Sequence, residues 1–100
     1  MFYVLDNNEK VIGIIQRNID NKCKNIYFDD LLQEDLISGA EVLTFSAILE
    51  KKLMKEVTPS NYIAFKKDNS YKLMQIVEVE DEKTENGIIK NVYCESAGLE

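Results

Sequence analysis

Residues 61–100 read NYIAFKKDNSYKLMQIVEVEDEKTENGIIKNVYCESAGLE, and the fold turns on how this stretch is read. Three apolar runs, 61–66, 71–80 and 88–95, are divided by the polar clusters KKDNS and EDEKTENG. Alternation of apolar and polar residues over runs of this length is the mark of half-buried strands. KDNS and ENG are the links, and Asn86-Gly87 is a strong hairpin signal because both residues accept positive φ. The last forty residues therefore read as a three-stranded antiparallel meander.

Just before it, AILEKKLMKEV (47–57) combines good helix formers with an apolar set at Leu49, Leu53, Met54 and Val57. One or two helical turns are expected, ending at Thr58 under the restriction that Pro59 imposes. Further upstream, Leu43, Phe45, Ala47 and Leu49 alternate with Val42, Thr44, Ser46 and Ile48, and SGAE precedes them as a turn signal. A hairpin of 31–37 with 42–49 fits, the rival being a short helix over 30–37. Residues 17–30 are polar around the island IYF, which predicts a loop touching the core through Ile26 and Phe28. At the start, FYVL (2–5) and VIGIIQ (11–16) flank DNNEK, where Asp6, Asn7 and Asn8 supply the side-chain-to-backbone bonds of a tight turn.

The whole is mainly β: a small antiparallel barrel or sandwich of about seven strands with at most one short helix, closed to limit exposed edges. Consistent strand faces put Val4, Ile12, Ile14, Leu43, Phe45, Ile63, Phe65, Leu73, Val77 and Val92 in the core. One hundred residues make a single domain, 1–100, without internal repeats or linkers.

Composition narrows the function. Hydrophobic residues make up 45% and charged residues 30%, an ordinary globular balance. The longest apolar run, VIGII at 11–15, is far short of a membrane span of about 20 residues. MFYVLD lacks the basic start of a signal peptide, so synthesis in a cytoplasm is expected. A net charge of −6 repels phosphate backbones. The lysine groups Lys51, Lys52, Lys55 and Lys66, Lys67 are small and sit among acids, so no nucleic-acid or membrane affinity is expected.

Chemistry-bearing residues are sparse. There is no His, which excludes Ser-His-Asp and Cys-His catalysis and every His-ligated metal. No glycine lies in a phosphate-binding spacing, and no Trp offers a stacking platform. Acidic groups occur at Asp29-Asp30, at Glu34-Asp35 and at Glu78, Glu80, Asp81 and Glu82, where paired carboxylates could cleave glycosides or hold a hard cation. Asp29 and Asp30, being adjacent, point apart, and Glu78 and Glu80 fall on the strand face opposite Val77 and Val79, where solvent is expected. Tyr62, Tyr71 and Tyr93 read as half-buried strand residues, and nothing pairs Arg17, the only arginine, with an anion site. Cys23 and Cys94 make neither a disulfide framework nor a zinc site; Cys94 reads as a small buried hydrophobe and both as free thiols. The residues thus describe a non-enzymatic domain with no catalytic, cofactor-binding or metal-binding residues and no cofactor.

The order of phrases carries a further signal. YVLDNNEKVIGII, then YFDDLLQEDLISGAEVLTFSAIL, then NYIAFKKDNSYKLMQIVEVEDEKTENGIIKNVYCESAGLE resembles the N-terminal region of phage minor structural proteins. This is the tail-hub family that includes tail-associated lysins and prophage endopeptidase tail proteins. The resemblance spans nearly all 100 residues and rests on order and spacing. It departs where Ser96 in CESAG stands at a position often held by His, and in the 17–25 loop. It implies the first β-barrel domain of a longer hub protein at the virion tail tip, whose subunits form a homotrimeric ring. The implied partners are other tail proteins: the distal tail protein, the tape measure and tip components. Any enzymatic activity would belong to later domains, and ESAGLE would mark the passage into the next one, unless Leu99-Glu100 is a remnant of expression. Alone, the chain is expected to be mainly monomeric, or weakly self-associating, at micromolar concentration. A small oligonucleotide- or oligosaccharide-binding barrel, a fold with similar strand content, is the alternative.

Overall fold

A computed structural model describes residues 1–17, 25–34, 39–85 and 87–96. Along the chain run β1 (Phe2–Leu5), β2 (Val11–Arg17), β3 (Ile26–Glu34), β4 (Glu41–Ile48), α1 (Lys51–Glu56), β5 (Tyr62–Lys67), β6 (Ser70–Thr84) and β7 (Gly87–Ser96). The strands close into a barrel in the order β1-β2-β3-β4-β7-β6-β5, with β5 pairing back onto β1. The expected small β-barrel with one short helix is the fold observed. Neighbours are antiparallel except β2 and β3, which run side by side in the same direction at Gln16–Ile26 and Arg17–Tyr27. Closure gives every strand a neighbour on both sides, although β2 and β3 meet at only these two pairs and β6 beyond Gln75 pairs with β7 alone.

Local chemistry explains the turns. Asp6 Oδ1 accepts hydrogen bonds from the backbone N–H groups of Asn8 (2.9 Å) and Lys10 (3.0 Å), fastening the first hairpin. The left-handed residue of that turn is Glu9, with φ 62°, rather than one of the asparagines. Between β5 and β6, Asp68 takes φ 57°, a conformation Asp tolerates well.

The helix is short but anchored. Asn25 Oδ1 accepts from the Glu50 N–H at 2.7 Å, tying the start of α1 to the segment before β3. After the last turn, Asn61 Nδ2 donates to the Glu56 carbonyl at 2.6 Å, and the Ile76 N–H donates to the Asn61 carbonyl at 3.0 Å. Asn61 is thus a buried polar residue whose groups are satisfied. Leu53 and Val57 turn inward and close one end of the barrel.

Phe2, Val4, Ile15, Tyr27, Leu43, Phe45, Ile63, Phe65, Met74, Ile76, Val92 and Cys94 fill the interior. Its aromatic centre is Phe2, stacked on Tyr27 with ring centroids 4.0 Å apart and tilted against Phe45 at 4.9 Å and Phe65 at 5.6 Å.

Six expected core residues are buried: Val4, Leu43, Phe45, Ile63, Phe65 and Val92. Four are not, and irregular pairing explains three of these. In β2 the register slips between the Val4–Gly13 and Leu5–Val11 pairs, leaving Ile12 as the extra residue. Gly13 and Ile15 then face inward, Ile12 is only partly buried, and Ile14 is 41% exposed. In β6 a slip between Ile76 and Glu78 leaves Val77 as the extra residue, 44% exposed. A bulge of one residue exchanges the two faces of everything beyond it. The fourth residue, Leu73, lies on the outer face of a regular stretch, beside the buried Met74.

The IYF island is likewise a strand start rather than a loop contact. Its buried member is Tyr27, and Ile26 and Phe28 are half-buried. The second hairpin pairs β3 with β4 from Ile26–Ile48 to Glu34–Glu41, so 30–34 is strand and not the rival helix. Residues 35–38, including Asp35, and Cys23 lie outside the described residues.

Candidate functional site

Three surfaces of the barrel gather the side chains that could act. The first is an acidic groove of about 290 Å³ on the outer face of β3, β4, β7 and β6. The irregularity in β3 between Phe28 and Leu31 places Asp29 at φ 54° and aims it at the groove. Thr44 and Ser46 enter from β4, Asn91 and Tyr93 from β7, and Glu78 and Glu80 from β6 beyond its bulge. Ser46 Oγ donates to Asn91 Oδ1 at 2.7 Å, and Asn91 Nδ2 donates to Glu82 Oε1 at 3.3 Å. Tyr93 OH donates to Glu95 Oε2 at 3.2 Å, and partial desolvation, then that bond, pushes its pKa up.

Asp29, Glu78 and Glu80, far apart in sequence, therefore share one groove, which neighbour-by-neighbour reading missed. All three are exposed, as expected of Glu78 and Glu80. Among the described residues no group of three or more Asp, Glu or Cys side chains has the geometry to hold a metal ion.

The second surface is the barrel mouth, an opening of about 300 Å³ over Phe2, Tyr27 and Phe65. Arg17, expected to stand alone, donates from Nη2 to Asp30 Oδ2 at 3.0 Å and lies 5.1 Å over the Tyr27 ring. The bond to Asp30 raises the Arg17 pKa above its ordinary value. Lys66 and Lys67 line the same mouth. Near the start of β7, Lys90 is a buried lysine whose Nζ lies 3.3 Å from Asp81 Oδ1, and Lys72 Nζ on β6 donates to the largely buried Glu41 Oε1. Cys94 is a free, buried thiol, and burial pushes its pKa up to about 12, leaving it a small hydrophobe as read from the strand pattern.

The third surface is apolar. On the outside of β2, β1, β5 and β6, Ile14, Tyr3, Ala64 and Leu73 stand in one cross-strand row. A second row begins with Val11 and Leu5, and Tyr71 packs its ring 6.3 Å from that of Tyr3. Tyr71 is 64% exposed, so it is a surface residue and not the half-buried one expected; Tyr62 and Tyr93 are half-buried. Leu5 is buried yet lies outside the interior cluster, because it belongs to this outer layer.

No family model, curated protein or solved structure matches this chain. What the structure itself shows is a closed seven-stranded β-barrel with one short helix.

Proposed function

We propose that this chain is a structural, non-enzymatic module of a phage or prophage tail hub, making protein–protein contacts with neighbouring tail proteins at the virion tail tip. The observation that carries the reading is the ordered series of phrases from YVLDNNEKVIGII to NVYCESAGLE, which resembles that family in order and spacing over nearly all of the chain, apart from Ser96 and the 17–25 loop. The absence of His and the solvated state of the acidic groove are consistent with a module that binds rather than turns over. Its partners in this reading are the distal tail protein and tape-measure or tip components, around a trimeric hub. The test is to label the protein in intact particles. Antibody against residues 1–100 should decorate the distal tail tip, and particles that lack the protein while the lysate contains it would refute the reading.

One observation favours the alternative of an oligonucleotide- or oligosaccharide-binding barrel. The mouth brings Arg17, Lys66 and Lys67 together over the buried Tyr27 and Phe65 rings, a group of cations that suits the anionic backbone of an oligonucleotide. Titration with a single-stranded oligonucleotide at low salt separates the two, since binding to phosphates weakens steeply as salt rises.

A further inference from the structure

The barrel is closed, but one strand outruns its neighbour. β6 spans Ser70–Thr84, and β5 accompanies it only as far as the Tyr62–Gln75 pair. The Ile76 N–H then donates to the Asn61 carbonyl at 3.0 Å, and beyond it β6 pairs with β7 alone. From Val77 to Lys83, the side of β6 turned away from β7 has no strand beside it among the described residues. On the other side of this arm β4 accompanies β7 from Lys90 onward, so β6 holds the longer open edge.

An open edge selects its ligand through the backbone. Its N–H and C=O groups stand at ladder spacing, and the partner that matches them is an extended strand. Val77–Lys83 offers about 20 Å of such edge at roughly 3.3 Å per residue.

Side chains decide which strand fits. Glu78, Glu80 and Glu82 share the outer face, Asp81 and Lys83 the inner one, and all five are exposed. Asp81 is bound to the buried Lys90, and Glu82 accepts from Asn91. No cation pairs with Glu78 or Glu80 among the described residues. Lys51 and Lys55 of α1 line a separate groove with Ile48 and Ile88.

A second copy is a poor ligand for this edge. Laid antiparallel against itself, β6 opposes Glu80 with Glu80 and Glu78 with Glu82. Slipped by one like-facing residue either way, it opposes Glu78 with Glu80 or Glu80 with Glu82. Like charges directly opposite each other destabilise a pair of strands, and opposite charges stabilise it. We propose that the β6 edge, Val77–Lys83, binds an extended segment of another protein that carries Lys or Arg at alternate positions, facing Glu78, Glu80 and Glu82. Edge and charge belong to the barrel itself, so the site stands under either functional reading.

The test titrates the full chain at low salt with a synthetic peptide of alternating lysine and valine. Its controls are the same peptide N-methylated at every backbone nitrogen and a peptide of alternating glutamate and valine. The protein variants are Glu78→Lys with Glu80→Lys, and Tyr71→Ser on the far side of the barrel, with circular dichroism confirming each fold. The lysine peptide should bind and slow hydrogen exchange within Val77–Lys83. N-methylation and the Glu78→Lys, Glu80→Lys change should each weaken binding by about tenfold or more, and Tyr71→Ser should stay within about twofold. Equal binding of the N-methylated peptide would show attraction of charge without strand pairing and overturn the proposal. Protection elsewhere in the chain, or no binding of the lysine peptide, would overturn it as well. A glutamate peptide that binds as tightly as the lysine one would refute the basic partner.

Discussion

The contact between Gly13 and Leu53 offers the sharpest test of how the barrel is closed. Gly13 faces inward on β2, where α1 lays Leu53 against the strand. A Cβ on Gly13 would sit 2.4 Å from Leu53 Cδ1, 3.3 Å from Cδ2 and 3.4 Å from Cγ. The clash is with the end of the Leu53 side chain, so Leu53 must shift, and at 5% exposure it does so against packed neighbours. Replacing Gly13 with Ala should therefore strain the core by roughly 1–3 kcal/mol, the usual range for overpacking. The unfolded chain loses freedom with the same change, which offsets about 0.4–1 kcal/mol. A net loss of about 1–2 kcal/mol follows.

Leu53→Ala alone should cost about 2–5 kcal/mol by opening a cavity. In the double variant the new methyl of Ala at 13 occupies part of that cavity, so the two losses should not add. A coupling of about 1 kcal/mol or more is expected, within the range for residues in contact. Urea unfolding followed by circular dichroism measures each corner of the cycle. With a slope of about 1 kcal/mol per molar urea for a small protein, the Gly13→Ala midpoint should fall by about 1–2 M. In heat, each kcal/mol corresponds to roughly 4–8 °C in a domain of this size. Strict additivity, or a Gly13→Ala variant as stable as wild type, would show that Leu53 does not rest on β2.

Phe45 and Phe65 are both buried around the Phe2 ring, and truncating either to Ala should cost about 3–5 kcal/mol in the same assay; losses below about 1 kcal/mol at both would discredit the interior described here. No hydrolysis of peptidoglycan, peptide or glycoside is expected from residues 1–100, and turnover that disappears with Asp29→Asn or Glu80→Gln would contradict this. Cys94 should resist thiol reagents at pH 8 in native protein and react once urea is added. Because burial raises its folded pKa to about 12 from 9.0, its contribution to stability is complete below pH 9 and is lost as pH climbs toward 12. Cys94→Ala should flatten that alkaline decline, and an unchanged decline would assign it to other groups.

Sequence by itself determined the strand number, the single short helix and the first turn, because these depend on neighbours in the chain, although β3 begins at Ile26, inside the stretch read as a loop. The alternation in β4 places Leu43, Phe45 and Ala47 inside, and Asp6 makes its turn with backbone groups two and four residues away. Pro59 limits α1 through its own ring. The phase of the bulged strands was legible only in part. Ile12, Ile14, Leu73 and Val77 are as apolar as Ile15, Met74 and Ile76, so hydrophobicity does not distinguish the two faces. For Ile12, Ile14 and Val77 the answer depends on bulges that form against β1 and β7, while Leu73 lies outward in a regular stretch paired with β5. The surfaces follow the same rule: Asp29 meets Glu78 and Glu80 because β4 and β7 lie between β3 and β6. The row Ile14–Tyr3–Ala64–Leu73 exists because β5 closes onto β1. Local propensity acts over a few residues, whereas barrel closure is a long-range pairing, and only that pairing decided which side chains share a face.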